Sequence, residues 1–490
     1  MPREPLWMGV DLGTQSVRAL VVDSHGRVAG AGSQELRSRR AEGRHEQDPE
    51  DWWRATAEAC REALAGVDAG RVATVACDST SGTIVLEADD GRALTPGVMY
   101  DDARAVEEAE EVNRRGESRW SSLGYRMSSS WGLPKLLWLL RHTDGLPRDA
   151  RLAHQADVIN RRLVGAPVAT DSSHALKTGY DLIDGRWPHD VFEGLEVPAA
   201  MLPDVVAPGQ PLGQVGAAAA RATGLAPGTT VVAGMTDGCA AQIGAGALEP
   251  GSWNSVLGTT LVLKGVTREL VRDPDGVLYS HRSPDGDWLP GGASSVGAAV
   301  LAERFSDRDL SELDGRAQEH EPATIVAYPL VSRGERFPFH APAAEGFELG
   351  RPHDEDDAYA ALLQGVAFVE RLCFDHIDRL GAEVREPLRL TGGAARSRYW
   401  CQLRADVLEL SVVVPEQSEP ALGMAILASA RERRVADAAQ EMVRLSACIR
   451  PRPDHVERLR EPYLRLVDEL ERRTWLPDEL AAHCRSRARR

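Results

Sequence analysis

Short apolar runs alternate with longer segments of helical periodicity in this chain, and that alternation limits the possible folds more than any other feature. Residues 6–11, 17–23 and 28–36 are short runs joined by tight turns, which predicts an antiparallel meander of strands. A helix is expected next, with Asp48 as its N-cap and Pro49 in its first turn. Strand-like and helical patterns keep alternating throughout the chain, and this predicts an α/β fold.

A turn of similar sequence occurs twice. "LGTQ" at Leu12–Gln15 and "LGTT" at Leu257–Thr260 each lie between two strand-like runs, about 245 residues apart. A chain of 490 residues is also too long for one ordinary core. We therefore expect two related domains, 1–248 and 249–490, joined near the Pro250-Gly251 pair.

Composition excludes several classes of protein. The hydrophobic content of 43% and charged content of 27% are those of a soluble globular protein. The net charge of −17 argues against a nucleic-acid partner, because phosphate backbones are bound by clusters of Lys and Arg. The basic C-terminal stretch "CRSRARR" is expected to be a frayed, solvated tail.

Cysteine spacing and the N-terminal sequence indicate the cellular compartment. The seven cysteines form no CxxC pair and no zinc spacing with histidine, so we expect reduced, mostly buried thiols. The N-terminus enters a strand-like run at once, leaving no room for a signal peptide. No apolar run approaches the roughly 20 residues of a membrane span. We expect a cytoplasmic protein without a membrane partner.

The two Gly-Thr turns are candidate phosphate sites. Backbone N–H groups and hydroxyls in such turns can surround phosphate oxygens without obstruction by side chains. Asp11, at the end of the first strand-like run, could hold Mg²⁺ directly or through water. Ordinary hairpin turns, with Asp11 in a structural role, are the alternative.

Asp237 is the one charged residue in "TVVAGMTDGCAAQIGAGAL", residues 230–248. Burial of a carboxylate without a partner costs free energy, so Asp237 is expected to be solvated, paired or catalytic. Beside phosphate-binding turns it could accept the proton of an attacking hydroxyl during phosphoryl transfer. A helix N-cap is the alternative, and the two roles are compatible.

"TGGAA", starting at Thr391, lies between a strand-like run and a helix. Its glycines let a helix N-terminus approach a nucleotide closely, while the absence of an acidic residue about 20 positions later disfavours dinucleotide binding. Gly423, early in another helix, is expected to allow close packing against the nucleotide. Four polar clusters that could grip a polyol begin at Asp78, Asp101, His154 and Asp171, although each also suits a loop or cap.

Seven motifs, in order, carry a family resemblance: "GVDLGTQSVRALVVDSHG", "HEQDPEDWW", "PKLLWLL", "GMTDGCAAQIGAGALEPG", "LGTT", "TGGAARSRYWCQLRADVL" and "EPALGMAILA". Over nearly its whole length the chain resembles the FGGY carbohydrate kinases. The resemblance implies two actin-like (ribonuclease-H-like) domains, with ATP and sugar in an interdomain cleft. It further implies ATP and Mg²⁺ as cofactors and is compatible with a homodimer.

The resemblance also implies roles for individual residues. Asp237 corresponds to the catalytic base and Asp11 to the metal-side carboxylate. Phosphate contacts and the adenosine site are expected at Thr14, Gln15, Gly258, Thr259, Thr260, Gly392, Gly393 and Ala394. Thr391 stands where a third glycine is common, and it should be tolerated if its φ is negative.

Three stretches resemble the sugar-side loops of the short D-ribulokinases of cyanobacteria and plant plastids. They are "DSTSGT", "HQADVINRRLVGAPVATDSSHALKTGYD" and "YSHRSPDGDWLPGGASSVGAAVL". Ordinary xylulokinases usually have QMHG where this chain has "STSG", with Met and His in place of Thr80 and Ser81. This branch implies sugar contacts from Asp11, Thr80, Ser81 and Asp237.

The expected reaction is ATP-dependent phosphorylation of the terminal hydroxyl of a free ketopentose, D-ribulose giving D-ribulose 5-phosphate. D-xylulose, L-ribulose, a tetrulose or glycerol as substrate would preserve the chemistry. An actin-like ATPase would need no sugar-side carboxylate, and a sugar sensor would be expected to lack Asp11 or Asp237. Both carboxylates are present.

Overall fold

The structure is a computed structural model that describes residues 4–446 and 448–489, and these residues form two compact units. Unit 1 contains the chain up to Leu248 together with His281–Leu289 and Gln417–Val443. Unit 2 contains Glu249–Ser280, Pro290–Glu416 and the segment from Arg444 onward. The second domain expected as the continuous range 249–490 is therefore interrupted twice by segments of unit 1.

Unit 1 is built on a six-stranded sheet in which the predicted meander is confirmed. The strand order is β12-β13-β6-β1-β2-β3, antiparallel between β1, β2 and β3, and parallel between β1, β6 and β13. The strands are β1 (Leu6–Leu12), β2 (Ser16–Val22), β3 (Val28–Glu35), β6 (Val72–Ser79), β12 (Pro211–Gln214) and β13 (Thr230–Val232).

Smaller sheets and eleven α-helices complete the described part of unit 1. A five-stranded sheet and a two-stranded pair contain β4 (Arg39–Ala41), β5 (Arg44–Gln47), β7 (Ile84–Glu87), β8 (Gly97–Val98), β9 (Arg151–His154), β10 (Thr170–Asp171) and β11 (Val205–Val206). The helices are α1 (Pro49–Ala63), α2 (Val106–Arg115), α3 (Glu117–Leu123), α4 (Gly132–His142), α5 (Gln155–Val164), α6 (Ser172–Ala175), α7 (His189–Gly194), α8 (Ala217–Thr223), α9 (Asp237–Gly244), α14 (Pro420–Ser429) and α15 (Val435–Met442).

Local sequence explains why helix α1 begins where it does. The Asp48 side chain accepts a hydrogen bond from the Glu50 N–H, and Pro49 occupies the first helical position, as predicted. Trp52 on this helix is fully buried in the core of unit 1, among the apolar side chains of β1 and β6. Burial of apolar surface, more than helix propensity, holds α1 against the sheet.

The main sheet of unit 2 repeats this arrangement. Its order is β16-β17-β15-β14-β20-β21, with β17, β15 and β14 antiparallel and β14, β20 and β21 parallel. In both sheets three antiparallel strands continue into two parallel ones, which is the ribonuclease-H-like arrangement of an actin-like α/β fold. The strands of this sheet and of a separate two-stranded pair are β14 (Trp253–Leu257), β15 (Leu261–Gly265), β16 (Tyr279–Arg282), β17 (Trp288–Ser294), β18 (Val326–Tyr328), β19 (Phe347–Leu349), β20 (Leu388–Thr391) and β21 (Val412–Val413). The end of β16 and the start of β17 belong to the segment His281–Leu289 of unit 1.

The long buried helix of unit 2 ends near Gly381, as the sequence predicts. The core gathers the helices around the apolar faces of the sheet. They are α10 (Ala299–Arg304), α11 (Leu310–Ala317), α12 (Glu355–Arg379), α13 (Arg398–Leu408), α16 (Pro453–Arg472) and α17 (Asp478–Ala488).

The expectation of a frayed basic tail is wrong for its described residues. Arg485 bonds Asp468 at 2.7 Å and also pairs with Glu471, while Arg487 lies 2.8 Å from Asp375. These carboxylates are on helices α16 and α12, so the terminal arginines tie α17 to its neighbours. The charge run alone gave no sign of those acidic partners.

The thiols agree with the sequence analysis: all seven cysteines are free, and all except Cys448 are buried. No helix in the described residues combines the length and apolarity needed to cross a membrane.

Candidate active site

Three carboxylates, Asp11, Asp78 and Asp237, lie near one another in unit 1 at the ends of neighbouring segments. Strands β1 and β6 run parallel with Asp11 opposite Asp78. The next position of β6, Ser79, forms a bridge to Thr236, and helix α9 begins at Asp237. The N-cap of that helix is Thr236, so Asp237 is its first residue instead of its cap.

Burial and mutual repulsion make ionisation of this group costly. Burial raises the pKa of Asp78 well above its usual range, and the charges of Asp11 and Asp237 raise it further. Burial also raises the pKa of Asp11, against the lowering effects of a hydrogen bond with Asp78 and the charge of Arg18. Carboxylates with shifted pKa values and little cationic compensation are typical of functional sites.

Helix α14 supports two of these carboxylates through very close packing. A Cβ on Gly9, two residues before Asp11, would lie 1.8 Å from the Ala421 carbonyl oxygen. A Cβ on Gly423 would lie 1.9 Å from the Ala240 carbonyl oxygen, in the helix that Asp237 begins. Glycine is required at both contacts because any side chain would overlap backbone. The expectation that Gly423 packs against a nucleotide is therefore wrong, since its neighbour is helix α9.

The loop after β6 contains the other two expected sugar contacts, Thr80 and Ser81. The Ser81 Oγ is buried and has no hydrogen-bond partner among the described residues. Thr80 is 2% exposed, and its hydroxyl is engaged with Gln155 Oε1 at 2.7 Å and Thr83 Oγ1 at 2.6 Å. Thr80 therefore supports the loop, and its expected direct sugar contact is not favoured, whereas Ser81 retains unused hydrogen-bonding capacity.

The first Gly-Thr turn joins β1 to β2. The Gly13 N–H donates to the Ser16 carbonyl at 3.1 Å, and Gln47 Nε2 donates to the Thr14 carbonyl at 2.7 Å. The Gln15 carbonyl accepts from the Leu36 N–H at 2.8 Å, and the residue is exposed. The turn is thus fixed by backbone contacts from its surroundings.

The second Gly-Thr turn joins β14 to β15 in unit 2. The Gly258 N–H donates to the Thr260 carbonyl at 3.1 Å, while the Gly258 carbonyl accepts from the Ala298 N–H at 2.8 Å. Thr259 is exposed and Thr260 is partly exposed. The segment at Ala298 belongs to the third D-ribulokinase-like stretch. In the structure that segment lies against this turn.

Strand β20 ends in the glycine turn expected to hold adenosine. Gly392 has φ +84°, and a Cβ there would lie 2.5 Å from the Leu257 carbonyl oxygen, so conformation and space both require glycine. Gly393 and Ala394 begin a short 3₁₀ helix. Thr391 remains in β20 outside the positive-φ region, which meets the condition for a residue other than glycine at this position, and its hydroxyl donates to Asn254 Oδ1 at 3.0 Å. A cavity of about 690 Å³ lies beside the turn, where Ala395 and Arg396 contribute to its wall.

Asp11 and Asp78 offer the hard oxygen ligands that Mg²⁺ prefers, and the strand register places them opposite each other. In unit 2, Glu321, Asp406 and His455 lie close enough to share a metal ion, but Glu321 and Asp406 are already paired with Arg452. Mg²⁺ is usually held by one or two carboxylates plus substrate phosphates, so the donors around Asp11 fit it.

Sequence reasoning missed the central position of Asp78. It placed Asp78 in a polar cluster, but only the register between β1 and β6 brings this residue opposite Asp11. Two other polar clusters are used internally: Asp102 lies 2.7 Å from Arg104, and the His154 Nδ1 is 2.9 Å from Asp157. Their polar composition indicated binding, whereas the contacts show structural ion pairs and hydrogen bonds.

Comparisons with known proteins agree with this arrangement. Residues 6–244 match the N-terminal domain of the FGGY family of carbohydrate kinases, and residues 253–431 match its C-terminal domain. A xylulose kinase of Streptomyces coelicolor is 31% identical over 438 residues, which cover 87% of this chain and 88% of the relative. A xylulose kinase of Escherichia coli K12 is 28% identical over 468 residues, covering 86% and 89% respectively.

A solved structure of similar architecture is that of xylulose kinase from Rhodospirillum rubrum. It is 25% identical, has a TM-score of 0.85, and the match covers 95% of this chain and 98% of that one. Two matched domains, a relative more than 30% identical over most of its length, and the shared fold lead to one conclusion. The chain belongs to the FGGY family of carbohydrate kinases.

Proposed function

We propose that this carbohydrate kinase transfers the γ-phosphate of ATP to the terminal hydroxyl of a free ketopentose, D-ribulose, giving D-ribulose 5-phosphate. The observation that carries the proposal is an unused polar atom in unit 1. The Ser81 Oγ is buried without a hydrogen-bond partner among the described residues, in the loop that follows Asp78. Buried polar groups are normally satisfied, so hydroxyls of a bound sugar would complete this network.

Asp237 is the proposed general base. It begins helix α9, and its Oδ1 accepts from the Gly238 N–H at 2.7 Å, which orients the carboxylate. As the terminal hydroxyl attacks the γ-phosphorus, its proton passes to Asp237. The bond between that phosphorus and the bridging oxygen breaks, and ADP leaves with the electron pair.

The nucleotide is assigned to the two Gly-Thr turns and the glycine turn. Backbone N–H groups at Thr14, Gln15, Thr259 and Thr260 would bind phosphate oxygens, and Gly392–Ala394 would contact adenosine. The short side chains of the unit 2 turns leave space for close approach. Bound through Asp11 and the phosphates, Mg²⁺ would supply neutralisation of negative charge.

D-xylulose is the second candidate substrate, and a specific observation favours it: both relatives described above are named xylulose kinases. D-ribulose is preferred because Ser81 presents a small hydroxyl where xylulokinases usually have His. Sugars that differ at one hydroxyl can be discriminated strongly only where a site hydrogen-bonds that hydroxyl. The Ser81 Oγ is available for that role.

The test is ATP-dependent ADP release with D-ribulose, D-xylulose, L-ribulose, erythrulose and glycerol, each compared with a reaction lacking sugar. We expect kcat/KM for D-ribulose at least about tenfold above that for D-xylulose, a difference of about 1.4 kcal/mol in transition-state binding. Asp237→Asn serves as the inactive control. An exposed acid, Asp190→Asn, serves as the matched control and should retain wild-type turnover.

The panel also separates the alternatives. Higher kcat/KM for D-xylulose, or turnover of another polyol alone, would contradict the sugar assignment and leave the proposed chemistry in place. ADP release that is independent of every sugar would instead indicate an actin-like ATPase. Folded protein that binds ADP but releases none with any sugar would indicate a sensor.

A further inference from the structure

Helix α6 (Ser172–Ala175) contacts both candidate sugar-side segments of unit 1 through two consecutive residues. Ser173 contacts the residue before Asp237, and His174 contacts the strand end that leads into Ser81. Both side chains are fully buried. Both residues belong to the polar cluster that begins at Asp171, although the sequence indicated no individual role for either of them.

His174 is held between a carboxylate and a hydroxyl. Its Nδ1 lies 2.5 Å from Asp171 Oδ2, and its Nε2 lies 2.8 Å from Ser79 Oγ. Burial alone would lower the pKa of His174, but the charge and hydrogen bond of Asp171 raise it above the usual value. An Asp-His-Ser series can activate a serine nucleophile, but Ser79 is 0% exposed and no substrate can reach it. The series therefore fixes the position of Ser79.

Asp171 also fixes the helix itself. Its Oδ1 accepts hydrogen bonds from the Ser173 and His174 N–H groups, both at 2.9 Å, and so caps the N-terminus of α6. One carboxylate thus orients both the backbone of the helix and the imidazole of His174. Any movement of Asp171 would be transmitted to both side chains.

Ser173 makes the second connection. The Thr236 N–H donates to Ser173 Oγ at 3.0 Å, and the Ser173 hydroxyl donates to Thr236 Oγ1 at 3.1 Å. Thr236 is the N-cap of helix α9, directly before Asp237. This pair of hydrogen bonds sets the position from which the Asp237 side chain projects.

We propose that Ser173 and His174 are positioning residues of the sugar kinase reaction, each acting on a different part of the site. Ser173 positions the proton acceptor Asp237 through Thr236. His174 positions Ser81, the sugar contact, through Ser79. The inference rests on the proposed function, because it needs Asp237 as the base and Ser81 as a sugar ligand.

The two connections have different kinetic consequences. Displacement of a general base affects the chemical step, and misplacement by about 1 Å can reduce rate substantially. Displacement of a sugar contact affects substrate binding. We therefore expect Ser173→Ala to lower kcat about tenfold with the sugar KM within about twofold. We expect His174→Asn to raise the sugar KM about tenfold with kcat within about threefold.

Rescue variants separate positioning from general packing. His174→Gln places an amide nitrogen where the His Nε2 bonds Ser79, whereas His174→Asn preserves only the Asp171 end. His174→Gln should therefore keep the sugar KM closer to wild type than His174→Asn. Ser172→Ala is the matched control on α6, since the structure gives that side chain no hydrogen bond to either segment.

The experiment measures kcat and sugar KM for each variant on the best wild-type substrate, with melting temperature and ADP affinity as folding checks. If Ser173→Ala does not fold, Ser173→Cys provides a similar volume with a weaker donor, and its kcat should fall by a smaller factor. Equal changes of kcat and KM in both variants, or no change, would overturn the inference alone. Wild-type protein inactive on every sugar would overturn the proposed function and the inference with it.

Discussion

The two Gly-Thr hairpins are built alike, but different residues lie beside them. In unit 1, Leu12-Gly13-Thr14 follows β1, and in unit 2, Leu257-Gly258-Thr259 follows β14. Each hairpin strand pairs in parallel with a second strand, β6 or β20. The position before the shared Leu is Asp11 in unit 1, opposite Asp78. In unit 2 the same position is Val256, opposite Thr391.

Because of this difference, we expect the two units to have different roles in the reaction. Carboxylates at the strand ends of unit 1 can accept protons, bind a cation and bond sugar hydroxyls. The corresponding positions of unit 2 have no acid, and β20 continues into Gly392-Gly393-Ala394, whose backbone is accessible to a nucleotide. One repeated arrangement can thus support a reactive unit and a nucleotide-holding unit.

Removal of the unit 1 base should have the largest effect. Asp237→Asn preserves side-chain volume but cannot accept the proton, so kcat should fall by about 10²–10⁴. Its melting temperature should stay close to that of wild type, because the amide oxygen can still accept from Gly238. Steady-state ADP release measures the effect, and a kcat within tenfold of wild type would exclude the general-base role.

A buried ion pair next to β14, the first strand of the unit 2 hairpin, should contribute strongly to stability. Ser255 on β14 donates to Glu370 Oε1 at 2.6 Å, and Arg404 binds both Glu370 oxygens at 2.7 Å with no exposure of either side chain. Glu370→Gln would leave the Arg404 charge buried without its partner, at a cost of about 3–5 kcal/mol. Thermal unfolding should show a large decrease in melting temperature, and an unchanged value would contradict the importance of this pair.

The same substitution in unit 1 should act in the opposite direction. Burial raises the pKa of Glu87 to about 7, and its cationic neighbour Arg161 is 3.7 Å away. The folded state therefore holds the Glu87 proton more tightly than the unfolded state does. The free energy of unfolding falls as pH rises from the ordinary glutamate pKa of 4.5 to about 7, and it stays at the lower level above pH 7.

Glu87→Gln removes that penalty. Its melting temperature should exceed that of wild type by a few degrees at pH 8 and approach the wild-type value at pH 4. Scanning fluorimetry at the two pH values measures the difference. A destabilised variant at pH 8 would show that the Arg161 contact outweighs the cost of burial.

Added methyl groups at glycines with open space test where ligand lies in unit 2. A Cβ on Gly258 or Gly393 would meet no protein atom within 4 Å, so any loss on substitution by Ala reports a ligand. We expect the KM for ATP to rise about tenfold in each variant, with the sugar KM unchanged. Gly315→Ala on helix α11 has the same open surroundings and is the control. Wild-type kinetics in both Gly258→Ala and Gly393→Ala would contradict the assignment of the nucleotide to these turns.

Much of the fold could be predicted from local sequence patterns. The meander, the Asp48 cap and the glycine turn after β20 each depend on residues close together in the chain, and the structure contains all three. The opposition of Asp11 and Asp78 depends on strand register, and the Ser173–Thr236 contact spans 63 residues. No local pattern encodes either. Gly423 shows the same limit, because its identity as glycine was informative but its packing partner was not.

Equilibrium binding of ADP to wild type, Asp237→Asn and Gly393→Ala tests the division between the units most directly. We expect Asp237→Asn to bind ADP within about twofold of wild type, and Gly393→Ala to bind it about tenfold more weakly. An Asp237→Asn variant that loses ADP affinity, together with a Gly393→Ala variant that keeps it, would contradict the assignment of the adenosine contact to the glycine turn of unit 2.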